Sequence, residues 1–263
     1  MTERDLTTFA AFACTLADAA RAVTLPAARA AQVADDKNAG GAFDPVTEAD
    51  REAERAMRAM IEARFPGHGI SGEEFGEKAG QGSAVWSLDP IDGTRAFICG
   101  LPSWTTLIAL VRGGEPVVGL IDAPMIGERY LGDTGRGRLI RADGEVGLAT
   151  SDCRILGEAR ITTTDPYLFA GDEADRFDRL RREARLVRYG YDAYGYARLA
   201  AGGIDIVAES GLKPHDYHAL IPVVRAAGGM IGNWRGDADF SDGQILAAAT
   251  PHLFEAAVAI LSR

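Results

Sequence analysis

The 263-residue chain has few of the side chains that form disulfides or bind transition metals. It contains three cysteines and four histidines, and no two cysteines form a CxxC pair. An odd number of widely spaced cysteines is typical of reduced thiols rather than of a disulfide framework. The sequence therefore shows no sign of zinc or disulfide redox chemistry, and we expect a cytoplasmic protein.

Positive charge is also scarce. The chain has 28 Lys and Arg residues against 38 Asp and Glu residues, so its formal net charge is −10 and its pI is near 4.9. Such a surface repels the phosphate backbone of nucleic acids and the anionic face of membranes, so we expect neither as a partner. An acidic protein can still bind an anionic substrate if metal ions first neutralise its carboxylates.

Long hydrophobic runs are missing from the sequence as well. The first residues include Glu3, Arg4 and Asp5, which is unlike the basic start and apolar run of a secretory signal. No stretch reaches the length expected of a membrane span. Apolar residues of this segment recur at helical spacing, at Leu6, Phe9, Ala13 and Leu16. We therefore expect an amphipathic first helix and no membrane association.

The remaining pattern predicts a mixed α and β protein. Residues 35–43 have adjacent glycines and polar residues, which favours a flexible loop. A second helix is expected after Thr47, which forms a capping box with Asp50, and Pro66-Gly67 should end it. Short apolar runs predict strands at 85–88, 105–111 and 116–121.

The two halves of the chain differ in their pattern. The first combines helices with apparent antiparallel strands, whereas strands and helices alternate after the glycine-rich stretch 132–147. We therefore expect an α+β lobe over residues 1–145 and an α/β lobe over residues 146–263.

The most informative string is Trp-Ser-Leu-Asp-Pro-Ile-Asp-Gly-Thr at residues 86–94. It places Asp89 and Asp92 around a proline at the end of a predicted strand, and Gly93 allows a ligand to approach the backbone closely. Hard cations such as Mg²⁺ prefer oxygen ligands, and the Ile91 carbonyl could join the two carboxylates. Taken alone, an Asp-rich turn after a strand is more often structural, with its aspartates capping a turn or helix.

Three other stretches carry isolated carboxylates. Glu73 lies in Gly-Glu-Glu after an apolar residue, Asp50 begins the second helix, and Asp216 follows Lys-Pro-His before another helical pattern. Each has an ordinary explanation as a solvated loop residue or a helix cap.

Together, the four stretches closely resemble the inositol monophosphatase superfamily. The matching motifs are Asp-Pro-Val-Thr-Glu-Ala-Asp at 44–50, Gly-Glu-Glu at 72–74, Asp-Pro-Ile-Asp-Gly-Thr at 89–94, Lys-Pro-His-Asp at 213–216 and Ala-Ala-Gly-Gly at 226–229. The resemblance spans roughly residues 40–230 in consistent order. It implies a layered αβαβα sandwich and hydrolysis of a small phosphorylated metabolite with two or three Mg²⁺ ions.

The resemblance also implies roles for individual residues. Glu73 and Thr94 would position the attacking water, Asp50 would add an acidic group near the metals, and the backbone amides of Gly93 and Thr94 would contact phosphate. The implied Mg²⁺ ligands are Glu73, Asp89, the Ile91 carbonyl, Asp92 and Asp216. Family members commonly form homodimers, so a homodimer is expected here.

Two further strings resemble the histidinol-phosphate phosphatase branch of the superfamily. They are Tyr-Gly-Tyr-Asp-Ala-Tyr-Gly-Tyr at 189–196 and Glu-Ser-Gly-Leu-Lys-Pro-His-Asp at 209–216. The alcohol of histidinol phosphate carries an ammonium and an imidazole, so an acidic pocket would complement it. Asp192 and Glu209 are the candidates for that pocket, although Asp192 could instead cap a helix.

Three alternatives stay open at this point. The chain could be an inositol or broad sugar phosphatase, since Glu209 can accept hydrogen bonds from ring hydroxyls. A nucleotide 3′-phosphatase is less favoured because the sequence has no clear base-stacking signature. A regulatory binding protein on the same fold would be expected to have lost metal ligands, yet all of them are present.

Overall fold

The computed structural model describes residues 2–30, 34–36 and 45–263. Within these residues, helices and two large sheets alternate in the layer order α, β, α, β, α. This arrangement confirms the mixed α and β class and the layered αβαβα sandwich expected from the sequence.

The first layer consists of two N-terminal helices, α1 (Glu3–Ala28) and α2 (Glu48–Arg64). Helix α2 begins with the predicted capping box: Asp50 Oδ2 accepts hydrogen bonds from the backbone N–H of Thr47 at 2.8 Å and from its hydroxyl at 2.5 Å. Both helices pack with their apolar faces on the first sheet, which fixes where Asp50 lies.

Helix α1 corrects one expectation. By length and composition, its segment Arg4–Ala28 is apolar enough to cross a membrane, which the sequence analysis did not expect of any stretch. In the structure one face of α1 is fully buried against the first sheet, at Ala10, Ala13, Leu16, Ala17 and Ala20. The helix therefore contributes to the hydrophobic core.

The second layer is an eight-stranded sheet with the strand order β10-β9-β8-β7-β6-β5-β3-β4. Its neighbours are antiparallel except for β3 and β5, which run parallel. The strands are β3 (Gly69–Gly72), β4 (Gly76–Lys78), β5 (Ala84–Asp92), β6 (Thr105–Arg112), β7 (Glu115–Ala123), β8 (Glu128–Asp133), β9 (Gly137–Arg141) and β10 (Gly144–Gly147). A short helix α3 (Thr94–Ile98) follows β5, and a two-residue pair joins β1 (Asp35–Asp36) to β2 (Pro45–Val46).

The fourth layer is a five-stranded sheet with the order β12-β11-β13-β15-β14. Its strands are β11 (Arg160–Thr163), β12 (Leu186–Tyr189), β13 (Ile206–Glu209), β14 (Met230–Gly232) and β15 (Ile245–Ala248). The helices of this half are α4 (Glu173–Glu183), α5 (Asp192–Ala200), α6 (Pro214–Tyr217), α7 (Leu220–Ala226) and α8 (Pro251–Leu261). Strands β11, β12 and β13 are parallel, as expected for the alternating pattern, and α4 and α8 cover the outer face.

The middle layer joins the two sheets. Helices α5 and α7 pack between them, and one continuous core cluster includes residues from both sheets. Strands β7 and β8 approach α7 closely: a Cβ added to Gly119 would lie 2.2 Å from the Ala219 carbonyl oxygen, and one added to Gly132 would lie 2.4 Å from that of Pro222. Pro222 is in the first turn of α7, which begins at Leu220. A proline is tolerated there because the first N–H groups of a helix have no partner within it.

Two regions differ from the sequence analysis. The glycine-rich stretch 132–147, to which no element was assigned, contains β9 and β10. Of the predicted loop 35–43, residues 35–36 form strand β1, and 37–43 lie outside the described residues, as does Asp44 of the first motif. The division into lobes at residues 145 and 146 stays a prediction.

Candidate active site

A bulge at the end of β5 turns two carboxylates to the same side. Along β5 and β6, Asp89 pairs with Leu107 and Asp92 pairs with Thr105, so β5 has one more residue than its partner between these pairs. Residues three apart normally face opposite sides of a strand, and one inserted residue brings them to the same side. The Thr106 hydroxyl fixes the bulge by donating to the Pro90 carbonyl at 2.7 Å.

Two other elements bring carboxylates to this strand end. Strand β3 runs parallel to β5, and the N–H of Glu73 donates to the Leu88 carbonyl at 3.1 Å, so Glu73 lies beside Asp89. Helix α6 packs on β5 and brings Asp216 to the same place. One carboxylate oxygen from each of Asp89, Asp92 and Asp216 lies within 4.8 Å of the others.

Burial and mutual repulsion govern the charge of this cluster. Burial raises the pKa of Asp89 well above its ordinary value, and the nearby charges of Glu73, Asp92 and Asp216 raise it further. Burial, followed by the charge of Asp192, raises the pKa of Asp92 in the same way. Burial also raises the pKa of Asp216. Without a cation these groups therefore bind protons more readily than free carboxylates do.

Hydrogen bonds fix the orientation of each aspartate. Asp89 Oδ1 accepts from the N–H of Ile91 at 3.1 Å, and Asp216 Oδ2 accepts from the N–H of Lys213 at 2.6 Å. Asp92 Oδ2 accepts from the N–H of Ala193 at 2.7 Å, which links the end of β5 to the start of α5. The carboxylates are thus held in place before any ligand arrives.

The turn after β5 has the backbone form that its sequence suggested. Gly93 adopts a left-handed conformation with φ of 82°. A Cβ at this position would lie 2.9 Å from Asp192 Oδ2, so glycine is required for space as well as for conformation. The Thr94 hydroxyl donates to the Ile91 carbonyl at 3.1 Å. Ile91, Gly93 and Thr94 line one cavity together with the carboxylate cluster.

Asp50 is placed differently from the other predicted residues. It is 1% exposed, and its Oδ2 serves the capping box of α2. It does not belong to the lining of the cavity that contains Glu73, Asp89, Asp92 and Asp216. The helix-cap explanation therefore holds for Asp50, and its role near a metal stays a prediction.

The two residues of the predicted acidic pocket line the same cavity, and Asp192 lies beside the Gly93 turn. Glu209, at the end of β13, accepts from the N–H of Thr164 at 3.0 Å and from the Tyr196 hydroxyl at 3.2 Å. Burial raises the pKa of Glu209 to about 7, and the charge of Asp192 adds to the shift. Asp192 has a left-handed backbone with φ of 48°, and burial raises its pKa to about 6.

Sequence reasoning missed several residues of the cavity. Thr164 follows β11 and holds Glu209 through its backbone N–H and its hydroxyl. Its position just after a predicted strand was a usable signal, because strand ends commonly carry site residues in α/β layers. Arg95, Lys213 and His215 also line the cavity, and Arg95 and Lys213 bring positive charge to it. His218 instead contacts Ser87, with its Nδ1 3.0 Å from the hydroxyl oxygen.

Comparisons with known proteins agree with this geometry. The model of the inositol monophosphatase family matches residues 5–263. The chain is 42% identical over 238 residues to the chloroplastic bifunctional phosphatase IMPL2 of Arabidopsis thaliana, covering 90% of this chain and 67% of that protein. It is 37% identical over 205 residues to the histidinol-phosphatase of Chlorobaculum parvum, covering 78% of each chain.

A solved structure gives the same result for the fold. An inositol monophosphatase from Zymomonas mobilis superposes with a TM-score of 0.87 at 38% identity, covering 100% of both chains. The match of sequence and fold extends over essentially the whole chain. The chain therefore belongs to the inositol monophosphatase family and is a phosphatase.

Proposed function

We propose that the protein is a Mg²⁺-dependent phosphatase that hydrolyses histidinol phosphate to histidinol and inorganic phosphate. The observation that carries the metal dependence is the cluster of Asp89, Asp92 and Asp216, whose ligand atoms lie within 4.8 Å of one another. The observation that favours this substrate is the pair of carboxyl groups, Asp192 and Glu209, that line the same cavity as the cluster.

The donor set fits a hard divalent cation. All side-chain donors of the cluster are carboxylate oxygens, which Mg²⁺ prefers. The pKa values of Asp89 and Asp92 are raised because burial and neighbouring carboxylates disfavour the ionised forms. A bound cation would stabilise those ionised forms. Glu73 and the Ile91 carbonyl complete the proposed ligand set, and two or three ions would be held.

The residues around the cluster have distinct tasks in the proposed reaction. When bound, Mg²⁺ supplies positive charge for the phosphate and lowers the pKa of a water molecule. The Thr94 hydroxyl already donates to the Ile91 carbonyl, so its free lone pairs can accept a hydrogen bond from the attacking water. Glu73 can take the proton of that water, and the N–H groups of Gly93 and Thr94 contact the phosphate.

The acidic pair fits a cationic alcohol better than a neutral one. Asp192 and Glu209 have pKa values near 6 and near 7, so near neutral pH both lie close to their point of ionisation. An ammonium group beside them would stabilise the ionised forms, and charge-assisted hydrogen bonds are about twice as strong as neutral ones. A polyol would gain only ordinary hydrogen bonds from the same side chains.

An inositol or sugar phosphatase is the second candidate. The Zymomonas mobilis inositol monophosphatase is 38% identical to this chain, about as similar as the Chlorobaculum parvum histidinol-phosphatase at 37%. Overall sequence identity therefore does not distinguish between the two substrates. The choice between them depends on the residues that line the cavity.

The test compares phosphate release from L-histidinol phosphate and from inositol 1-phosphate, with Mg²⁺ and with chelator. We expect Mg²⁺-dependent hydrolysis with preference for histidinol phosphate in the wild-type protein and in Asp143→Asn, an exposed control in the turn between β9 and β10. Asp92→Asn should lose activity on both substrates. Preference for inositol phosphate would favour the second candidate, and hydrolysis that survives the chelator would contradict the metal proposal.

Two further expectations concern the whole protein. A cytoplasmic location is consistent with the three cysteines, which are all free. A homodimer is consistent with large apolar side chains that are exposed in the second half of the chain, such as Tyr167, Leu186 and Tyr189. Size determination in solution tests the second expectation.

A further inference from the structure

The turn that carries Glu73 is hydrogen-bonded to a carboxylate of helix α2. Residues 73–75 form the turn between β3 and β4. Glu54 of α2 has no exposed surface and accepts hydrogen bonds from the N–H of Glu74 at 2.8 Å and of Phe75 at 3.2 Å. Successive N–H groups that converge on one carboxylate form an anion-binding concavity, and here a side chain of the protein fills it.

The Glu54 carboxylate is also bound by Arg58 of the same helix. The Arg58 Nε donates to Glu54 Oε1 at 2.7 Å, and another nitrogen of the same guanidinium donates to the Gly76 carbonyl at the end of the turn. The guanidinium groups of Arg55 and Arg58 also lie over the Phe75 ring, 5.4 Å and 5.9 Å from its centre. Helix α2 therefore contacts the turn through the hydrogen bonds of Glu54 and Arg58 and through two cation–π contacts.

Gly72 independently indicates that the Glu54 carboxylate occupies the space beside this strand, where a larger residue would place its side chain. A Cβ added to Gly72 would lie 1.9 Å from Glu54 Oε1. The backbone of Gly72 is not among those in the left-handed region, so an alanine could adopt its conformation. Glycine is needed at this position because of the carboxylate beside it.

We propose that Glu54 is a positioning residue, which holds the turn of residues 73–75 so that the Glu73 carboxylate stays beside Asp89. A ligand that is held in place before the ion binds loses less freedom on binding, and loss of such supporting contacts commonly weakens metal affinity about 10- to 100-fold. The inference rests on the proposed role of Glu73 as a Mg²⁺ ligand.

The first test replaces Glu54 by glutamine, which keeps the size of the side chain but turns one acceptor into a donor. We expect the dissociation constant for Mg²⁺, measured by calorimetry, to rise about tenfold or more in Glu54→Gln. The kcat at saturating Mg²⁺ should change much less than the Mg²⁺ requirement. Glu52→Gln, an exposed change on the same helix, should match the wild type in both measurements.

A double-mutant cycle tests the geometry. Gly72→Ala should weaken Mg²⁺ binding in the wild-type background, since its methyl group displaces the Glu54 carboxylate. In the Glu54→Ala background the same change should have little further effect, because the obstructing atoms are gone. Additive effects of the two changes would show that Gly72 and Glu54 act independently and would overturn the proposal.

Hydrogen–deuterium exchange separates positioning from general stability. In Glu54→Gln the amides of residues 74 and 75 should exchange faster while the rest of α2 keeps its protection. Wild-type exchange in the turn together with wild-type Mg²⁺ affinity would refute the positioning role. If the wild-type protein itself binds no Mg²⁺, the proposed function fails, and the exchange result still decides whether Glu54 holds the turn.

Discussion

Asp89 and Asp92 lie at one strand end, yet they are held by different neighbours. Asp89 is tied to its own turn through the N–H of Ile91, whereas Asp92 is tied to α5 through the N–H of Ala193. Both have a raised pKa because burial disfavours their charged forms. At the scale of single residues, ionisation of these carboxyl groups is therefore unfavourable without a metal, and a bound cation would lower its free energy. Such a loss of stability is common in active sites.

Replacing Asp92 by asparagine should separate stability from activity. In chelator near pH 7.5, Asp92→Asn should raise the unfolding temperature, because it removes an ionisable group whose charged form is disfavoured by burial and by Asp192, and it keeps an oxygen that can accept from Ala193. Thermal unfolding in chelator measures this, with Asp143→Asn as the unchanged control. An unfolding temperature below that of the wild type would mean that Asp92 is not under repulsion in the metal-free protein.

Asp192 should contribute to the choice of substrate. Asp192→Asn removes a charge from the acidic pair but retains a similar shape, so kcat/KM for histidinol phosphate should fall about tenfold relative to that for inositol 1-phosphate, as expected for the loss of one charged hydrogen bond. Steady-state kinetics on both substrates measures the ratio. An equal loss on both would indicate that Asp192 supports the Gly93 turn, which it contacts, without selecting the alcohol.

The sequence was informative about some residues and silent about others. Asp89, Asp92 and Asp216 could be predicted because they occur in strings that few other proteins share. Glu54 could not, because a glutamate on a polar helix gives no sign that the turn of another strand pair will fold onto it. Asp50 shows the opposite case, since its local capping pattern predicted its hydrogen bonds, and its motif implied a role near the metals that stays open.

At the scale of elements, close contact between α7 and the first sheet depends on two glycines. Gly132 faces the backbone of α7, and a Cβ there would lie 2.4 Å from the Pro222 carbonyl oxygen. Backbone cannot yield as a flexible side chain can. The bounds of the predicted strands and helices could be read from apolar patterns and turn residues. Strands β9 and β10 were missed because glycine and arginine interrupt the alternation in β9, and the edge strand β10 is exposed along its whole length.

Gly132→Ala should therefore destabilise the protein by about 1–3 kcal/mol, the usual cost of inserting a methyl group into a packed interface. Gly135→Ala is the matched control, because a Cβ at that position would meet nothing within 4 Å. Chemical denaturation measures both. Equal stabilities of the two variants would show that α7 can move away from the sheet at little cost.

At the scale of the whole molecule, ionisation in the cavity links stability to pH. The pKa of Glu209 is about 7 in the folded protein against 4.5 for the free group, so Glu209 stabilises the fold fully below about pH 4.5, and this contribution is lost as pH rises through 7. The loss can reach about 3 kcal/mol, since one pKa unit corresponds to about 1.4 kcal/mol. Asp192, with a pKa of about 6, acts in the same direction.

The metal-free protein should therefore unfold at a lower temperature at pH 8 than at pH 5.5. Thermal unfolding in chelator across this range measures the slope, and Glu209→Gln should make it shallower. Mg²⁺ should raise the unfolding temperature most at high pH, because carboxylates must be ionised to bind it. A flat profile, or a slope of the opposite sign, would contradict the raised pKa values of these carboxyl groups.

The central claim is that carboxylates from three separated stretches of sequence hold divalent cations in one cavity. The most direct test is an anomalous difference map from crystals grown with Mn²⁺, an oxygen-preferring ion that scatters X-rays anomalously. We predict peaks within bonding distance of Asp89, Asp92 and Asp216, with Glu73 on the same cluster, and no peaks after treatment with chelator. Peaks confined to other parts of the molecule, or none in this cavity, would contradict the account.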